Sequence, residues 1–169
     1  GYFSERKFGA NQFYAVQSGY NQYEETQSSL VGASTNFKTK SFKITPRIYW
    51  KRTQDMYLYI RERPSVYRNL HLSNKVGLQV NASYTSNAGI TGFGIETAKV
   101  FMTSTNLGER DRTIANLFIE HRFSLADNTL DITPGVSVNY FSDFKFHAFP
   151  GVDIGYTIND AFKAYANVG

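Results

Sequence analysis

The sequence predicts an all-β fold: an antiparallel up-and-down meander of about eight strands that forms a segment of a transmembrane β-barrel. The segment is either partial or closed as a small eight-stranded barrel. Three observations predict this class. Apolar and polar residues alternate with a period of two along most of the chain, and helical periodicity is nearly absent. Connections are short on one side of the meander and mostly longer on the other, and aromatic residues recur at two levels.

Composition excludes several classes of protein. The 169 residues are 41% hydrophobic and 16% aromatic, yet no apolar run approaches the ~20 residues of a membrane-spanning helix. No secretory leader is recognisable, so we expect that a leader has been removed or that the chain is an internal piece. A chain without cysteine holds no disulfide and no cysteine-rich zinc site. The net charge of +4 comes from interspersed residues of both signs, which predicts no nucleic-acid partner.

The alternating stretches define one domain. We assign 23–169 to a β-barrel segment and 1–22 to an extracellular loop or an incomplete strand. The predicted strands are 23–37, 41–60, 73–84, 88–102, 112–124, 129–141, 146–158 and 162–169.

The predicted connections alternate in length. Those at 38–40, 85–87, 125–128 and 159–161 are short, those at 61–72 and 103–111 are long, and that at 142–145 is intermediate. Every second connection of a meander lies at the same end of the sheet. Outer-membrane barrels have this asymmetry, with short periplasmic turns and longer extracellular loops.

Each well-defined strand has one apolar and one polar parity, as at Val136 and Ser137. Aromatic residues of the apolar parity fall beside the short turns (Phe37, Phe42, Tyr84, Phe123, Tyr156 and Phe162) and near the opposite strand ends (Trp50, Phe101, Tyr140 and Phe146). With tilted strands the two levels are about 20 to 25 Å apart, close to the apolar band of a membrane barrel. Lys99 is an exception on the apolar parity, where its side chain would extend to the interface or a bulge would change the facing.

Three prolines also lie on the apolar parity, at positions 46, 134 and 150. A proline removes a ladder hydrogen bond and usually marks an edge or a bulge, and a large sheet would absorb such local defects. Gly135 and Gly151 then belong to the inward parity, as do Gly92 and Gly94, which we interpret as small lumen-facing residues.

No catalytic or metal-binding pattern emerges. His71, His121 and His147 lie in a loop and two separate strands without metal-ligand spacing, and we predict no metal and no cofactor. Ser142, Asp143 and His147 come nearest to a catalytic triad, but nothing identifies a nucleophile, so we predict that the chain is not an enzyme.

The two long loops collect charged and polar side chains that suit ligand capture. Equally, they are typical of solvated loops, and both interpretations stay open. The candidate ligand-binding residues are Arg61, Arg63, Tyr67, Arg68, Asn69, Asn106, Arg110 and Arg112.

Several segments, in order, resemble part of the barrel of a TonB-dependent outer-membrane transporter. They are FKITPRIYW, TGFG, STNLGERDRT, LFIEHRF, LDITPGVSVNYFSDF, FPGVDIGY and AFKAYANVG. The similarity covers most of the chain after about Tyr23 and is greatest to cobalamin-type receptors of Bacteroidetes-like bacteria.

The resemblance implies an outer-membrane location in a Gram-negative bacterium and a 22-stranded barrel plugged by an N-terminal domain. Such a receptor binds a scarce small-molecule ligand, such as cobalamin or a metal chelate, and imports it with energy passed from TonB. The chain departs from the family in having about eight predicted strands and no recognisable plug domain or TonB box. We therefore expect an excised barrel segment, with outer-membrane lipid as its immediate partner and TonB and the plug as partners of the full-length parent.

Two alternatives are also compatible with the sequence. One is a complete small outer-membrane barrel with a structural or binding role, and the other is a soluble lipocalin-like carrier whose apolar parity faces inward. An open segment has two unpaired edges, and these predict edge-to-edge self-association.

Overall fold

The computed structural model describes residues 1–11, 13–14 and 19–169. The strands are β1 (Tyr2–Gly9), β2 (Tyr23–Ser34), β3 (Phe37–Lys38), β4 (Phe42–Leu58), β5 (Arg68–Ser86), β6 (Gly89–Ser104), β7 (Gly108–Leu125), β8 (Leu130–Phe141), β9 (Lys145–Asn159) and β10 (Phe162–Val168). Within the described residues no helix is long and apolar enough to cross a membrane.

The strands form one ten-stranded sheet in the order β1-β2-β4-β5-β6-β7-β8-β9-β10, with β3 paired to β4. The described ladders are antiparallel, so the predicted all-β antiparallel meander is confirmed. The sheet is open, with β1 and β10 as its edge strands, and among the described residues no ladder joins β1 to β10.

The sheet has two strands more than the eight that were predicted. β1 lies within the segment assigned to a loop or incomplete strand at 1–22, and pairs with β2 from Tyr2↔Leu30 to Gly9↔Tyr23. Five residues of that segment, at 12 and 15–18, lie outside the described residues. The other additional strand, β3, is only two residues long and pairs Phe37 with Ile44.

Two strands that follow the long connections begin earlier than predicted. β5 begins at Arg68 instead of position 73, and β7 begins at Gly108 instead of position 112. The polar residues at these ends continue the backbone ladder although they do not continue the apolar alternation. His71, predicted to lie in a loop, is therefore a residue of β5.

The chain divides into two compact units, each described by itself. The first, here called the loop unit, comprises Gly1–Ala33, Tyr49–Gly77 and Lys99–Arg112, and contains the connections β4–β5 and β6–β7. The second, the turn unit, comprises Ser34–Ile48, Leu78–Ala98 and Thr113–Gly169.

Few apolar side chains are buried. Among the described residues these are Ala10, Leu58, Ile60, Ala82 and Ala98. Large apolar residues remain exposed along the strands, including Ile48, Leu78, Ile95, Leu117, Ile119, Val136, Ile154 and Ile158. A sheet with so small a core gains little stability from its own apolar packing, and its exposed apolar residues form a face available for contact.

The register in the turn unit separates two faces of the sheet. Val136 lies between Ile119 of β7 and Pro150 of β9, in a row that we assign to the apolar face. The next row, Phe118, Ser137 and Phe149, belongs to the polar face. The polar face is therefore mixed, because two aromatic residues flank Ser137.

Pro134 interrupts a ladder without shifting it. β7 and β8 pair Glu120 with Gly135 and Phe123 with Ile132 in one unchanged register, and the two positions between them do not pair. The lost N–H is thus accommodated by a local opening of the ladder, and the β-bulge that prolines often mark is not formed there. The described register shift lies instead at Phe162/Lys163, between β10 and β9.

Glycines of the polar face lie beneath large side chains. The Phe118 ring covers Gly94, and the Glu120 side chain covers Gly92. Gly135 pairs directly with Gly151, beside Glu120. These glycines provide room on the face where the larger residues lie.

Candidate functional site: a tyrosine-lined pocket in the loop unit

A pocket of about 250 Å³ lies in the loop unit, where β4 and β5 approach their connection. It is lined by Tyr14, Asp55, Tyr57, Tyr67, Asn69 and His71. Asp55 and Tyr57 are alternate residues of β4, and Asn69 and His71 are alternate residues of β5. Because alternate strand residues share one face, each pair lies on a single side of the sheet.

Three tyrosine rings form adjoining walls of the pocket. The Tyr14 and Tyr57 rings are 5.0 Å apart between centroids with an interplanar angle of 77°. The Tyr57 and Tyr67 rings are 6.3 Å apart at 69°. The central ring is thus steeply inclined to both neighbours, so the pocket presents aromatic faces in more than one direction.

The central tyrosine is fixed by a buried glutamine. The Tyr57 hydroxyl donates to Gln22 Oε1 over 2.7 Å, and Gln22 is only 1% exposed. The backbone N–H of Gln22 in turn donates to Asn11 Oδ1 over 2.7 Å. These bonds connect β4 to the chain that enters β2 and hold the ring in one orientation.

A directed chain of hydrogen bonds orients the polar wall. The Leu70 N–H donates to the Thr105 hydroxyl, which donates to Asn69 Oδ1 (3.0 and 2.9 Å). Asn69 Nδ2 lies 2.8 Å from His71 Nε2. Since an amide nitrogen is a donor, His71 Nε2 is the acceptor in this pair and its proton is on Nδ1 in the neutral ring.

Tyr67 is positioned from the β6–β7 connection. Asn106 Nδ2 donates to the Tyr67 hydroxyl over 2.7 Å. The connection itself is ordered by Ser104, a buried residue whose Oγ accepts the N–H groups of Asn106 and Leu107 (3.2 and 3.0 Å). Tyr67 accepts the Asn106 bond and so retains its own proton for donation to another group.

The pocket has acidic surroundings. Asp55 lines it, and Glu24 is a 6% exposed carboxyl whose Oε2 has no hydrogen-bond partner among the described residues. Burial of its hydroxyl, the hydrogen bond to Glu24 and the charges of Glu24 and Asp55 together raise the pKa of Tyr14 to about 12. The negative charges of Glu24 and Asp55 each disfavour a further negative charge at the site.

The structure brings together only some of the predicted site residues. Tyr67 and Asn69 line the pocket, and Asn106 binds Tyr67. Arg68, Asn69 and Arg110, predicted in loops, are residues of β5 and β7, and Arg112, at the start of a predicted strand, also belongs to β7. None of the five candidate arginines lines the pocket.

The arginines make other contacts or point to solvent. The Arg61 guanidinium lies 4.7 Å from the centroid of the Tyr23 ring, and Arg110 Nε donates to the Leu107 carbonyl over 3.2 Å. Arg63 and Arg68 are exposed. Beside them, a hydrogen bond from Asn21 Nδ2 to Glu62 Oε1 (2.9 Å) lowers the pKa of the Glu62 carboxyl.

Sequence reasoning missed four lining residues: Tyr14, Asp55, Tyr57 and His71. The segment DMYLY places Asp55, Tyr57 and Tyr59 on one parity, and this polar and aromatic row was the available signal. Tyr14 carries no such signal, because it lies in the connection between β1 and β2 and reaches Tyr57 only through the fold.

Other candidate sites lack the required geometry. Ser142 Oγ accepts the Thr113 N–H, and His147 Nε2 lies 2.9 Å from the Phe144 carbonyl, so neither contact is the serine–histidine bond of a triad. Among the described residues no group of three His, Cys, Asp or Glu side chains could hold a metal ion. A concavity of about 620 Å³ in the turn unit contains the ion pair Lys163–Asp131 (3.2 Å) together with Arg122 and Asp153, a mixture of charges that favours no one ligand.

No family model matches the chain, and no curated protein matches it either.

Proposed function

We propose that this chain is a wall segment of an outer-membrane β-barrel of the TonB-dependent receptor type. In this proposal the strands contact outer-membrane lipid of a Gram-negative bacterium, and the loop unit supplies part of a small-molecule binding site. The observation that carries the proposal is the exposed apolar face of the sheet, which includes Leu117, Ile119 and Val136. Lipid is the neighbour that such a face suits best.

The distribution of charge supports the same assignment. In the turn unit the positions that alternate with the exposed apolar residues include Glu120, Asp131 and Asp153. A soluble carrier of the lipocalin type would instead enclose its apolar face and expose these charges. The remaining alternative, a complete small barrel, shares the lipid-facing surface and differs in needing a ladder that closes the sheet.

The proposed role in ligand import is inferred from the resemblance to TonB-dependent outer-membrane transporters. In the parent protein the plug domain and TonB would be the partners for transport, and cobalamin or a metal chelate are the candidate ligands. The pocket supports a binding role independently of that resemblance, because its walls are fixed by hydrogen bonds before a ligand arrives.

Refolding with and without an amphiphile tests the membrane assignment. We expect the chain to refold to a β-rich, protease-resistant form in detergent micelles or phosphatidylcholine vesicles, and to aggregate in plain buffer. Circular dichroism, limited proteolysis and co-flotation with vesicles provide the measurements. A stable β-rich monomer in buffer that fails to float with vesicles would refute the membrane assignment.

The edges of the sheet lead to a prediction about oligomeric state. β10 is exposed along its whole length, and β1 is exposed at all but one residue. Because unpaired strand edges are templates for further pairing, we expect the refolded chain to form dimers or larger assemblies in detergent. Light scattering after size exclusion measures the mass. A monomer whose β1 and β10 amides exchange rapidly with deuterium would contradict this expectation.

A further inference from the structure

We propose that the tyrosine-lined pocket binds a small organic cation, with an alkylammonium group held among Tyr14, Tyr57, Tyr67 and Asp55. This inference deepens the proposed receptor function by assigning a small organic cation to this pocket in place of the cobalamin or metal chelate that the resemblance implies, and its biological use rests on that function. The binding itself depends only on the loop unit, which contains every residue of the pocket.

The aromatic walls provide the first argument. A cation is attracted to the face of a tyrosine ring within about 6 Å of its centroid, and the attraction grows when water is excluded. Tyr57 is inclined at 77° to Tyr14 and at 69° to Tyr67. All three rings line one pocket and differ in orientation, a feature shared with the aromatic cages that bind quaternary ammonium groups.

The charges provide the second argument. Asp55 is the charged acid on the lining, while no Lys or Arg lines the pocket. The buried Glu24 carboxyl is hydrogen-bonded to Tyr14, but its Oε2 has no partner among the described residues, and a buried carboxylate is stabilised by a positive charge nearby. The field therefore favours a cation and opposes an anionic chelate.

The fixed polar groups provide the third argument. Tyr57 is held by Gln22, Tyr67 by Asn106, and Asn69 by Thr105. A site whose side chains are already ordered loses little entropy on binding. The Tyr67 hydroxyl also retains a proton for a hydroxyl or carbonyl substituent beside the cationic centre. The volume of about 250 Å³ limits the occupant to a small molecule or to one group of a larger one.

Choline and its uncharged isostere 3,3-dimethylbutan-1-ol form a matched pair of probes, because they differ in charge and hardly in shape. Isothermal titration calorimetry on the full chain, refolded in detergent, measures both affinities. We expect choline to bind on the order of tenfold more tightly than the isostere. Equal binding of the two probes, or tighter binding of glucose or of citrate, would overturn the inference.

Two pairs of variants locate the site. Asp55→Asn removes a charge from the lining, whereas Asp111→Asn removes the same charge from the exposed ion pair with Lys99. We expect Asp55→Asn to weaken choline binding about tenfold and Asp111→Asn less than about twofold. Likewise, Tyr57→Leu should weaken binding about tenfold, and Tyr59→Leu, which alters a ring outside the lining, should have little effect.

The outcomes separate this inference from the proposed function. If the chain inserts into vesicles and binds no choline, the cation site is refuted and the barrel assignment stands. If choline binding is present and Asp55→Asn behaves like Asp111→Asn, the cation lies elsewhere and the assigned pocket is wrong. Circular dichroism of each variant distinguishes lost binding from lost folding, and Asp55→Asn decides the matter if Tyr57→Leu does not fold.

Discussion

Lysine in place of Val136 is expected to destabilise the folded chain in lipid by about 2 to 4 kcal/mol, the cost of a lysine at the lipid-facing midplane of a barrel. Val136 is 39% exposed and lies between Ile119 and Pro150 in the apolar row. A lysine at Ser137, one residue further along β8, belongs to the polar face and is expected to cost less than about 1 kcal/mol. Urea unfolding in phosphatidylcholine vesicles measures the difference.

The neighbouring substitution is the matched control, because both variants place the same side chain on the same strand. A soluble carrier with an enclosed apolar face would also reject lysine at Val136. The comparison is therefore repeated in plain buffer, where a membrane segment is expected to aggregate with or without either substitution. A greater loss from Ser137→Lys in lipid would show that the assignment of the two faces is inverted.

The alternating pattern predicted the strands wherever one side of the sheet is apolar. β8 illustrates this, since LDITPGVSVNYF alternates throughout and the strand spans Leu130–Phe141. β1 was missed because YFSERKFG has no consistently apolar parity, although its backbone pairs with β2 along all eight residues. Backbone hydrogen bonds do not depend on side-chain polarity, so a ladder extends where alternation fails.

The same cause displaced the predicted start of β5. Arg68, Asn69 and His71 are polar and precede the apolar alternation, yet they continue the strand. The sequence therefore predicts a loop at 61–72. Strand ends that extend beyond an apolar band leave no apolar signal of their own, and they contain part of the candidate site.

The candidate site was predictable only in part. Tyr67, Asn69 and Asn106 were recognisable as polar and aromatic residues near long connections. In the structure both Tyr67 and Asn69 are hydrogen-bonded to the β6–β7 connection, Tyr67 to Asn106 and Asn69 to Thr105. Asp55 and Tyr57 belong to β4, and which strand lies beside them is a property of the fold. The arginines were the strongest signal in the sequence, but their long side chains extend to solvent or to neighbouring rings and carbonyls.

Alanine in place of Gly89 is expected to destabilise the turn unit by about 3 kcal/mol or more. Gly89 begins β6 with a φ of +133°, a conformation that side chains rarely adopt. In addition, a Cβ at this position would overlap the Arg122 backbone carbonyl of β7. Because the position of Cβ is fixed by the backbone and the Arg122 carbonyl is itself a backbone group, no rotamer change relieves the overlap.

Gly108→Ala is the control for a positive φ without a steric overlap. Gly108 also has a positive φ, +69°, but no atom lies within 4 Å of an added Cβ, so its replacement should cost about 1 to 2 kcal/mol. The difference between the two variants, measured by urea unfolding in the same detergent, combines the overlap with Arg122 and the less favourable φ of Gly89. Equal losses would mean that neither adds to the cost of a positive φ.

That overlap matters because a histidine of β7 holds the β5–β6 turn and the start of β6. His121 Nε2 donates to the Ala88 carbonyl over 3.2 Å, and the Thr91 hydroxyl lies 2.8 Å from His121 Nδ1. On its other side, β7 has no ladder pairs with β8 at His121 and Arg122, because Pro134 opens the ladder there. Moving the turn away to admit a methyl group would therefore break contacts where β7 is already weakly paired. We accordingly expect amide exchange in Gly89→Ala to rise first at residues 119–123, whereas uniform acceleration across the turn unit would show that β7 is not the weak point.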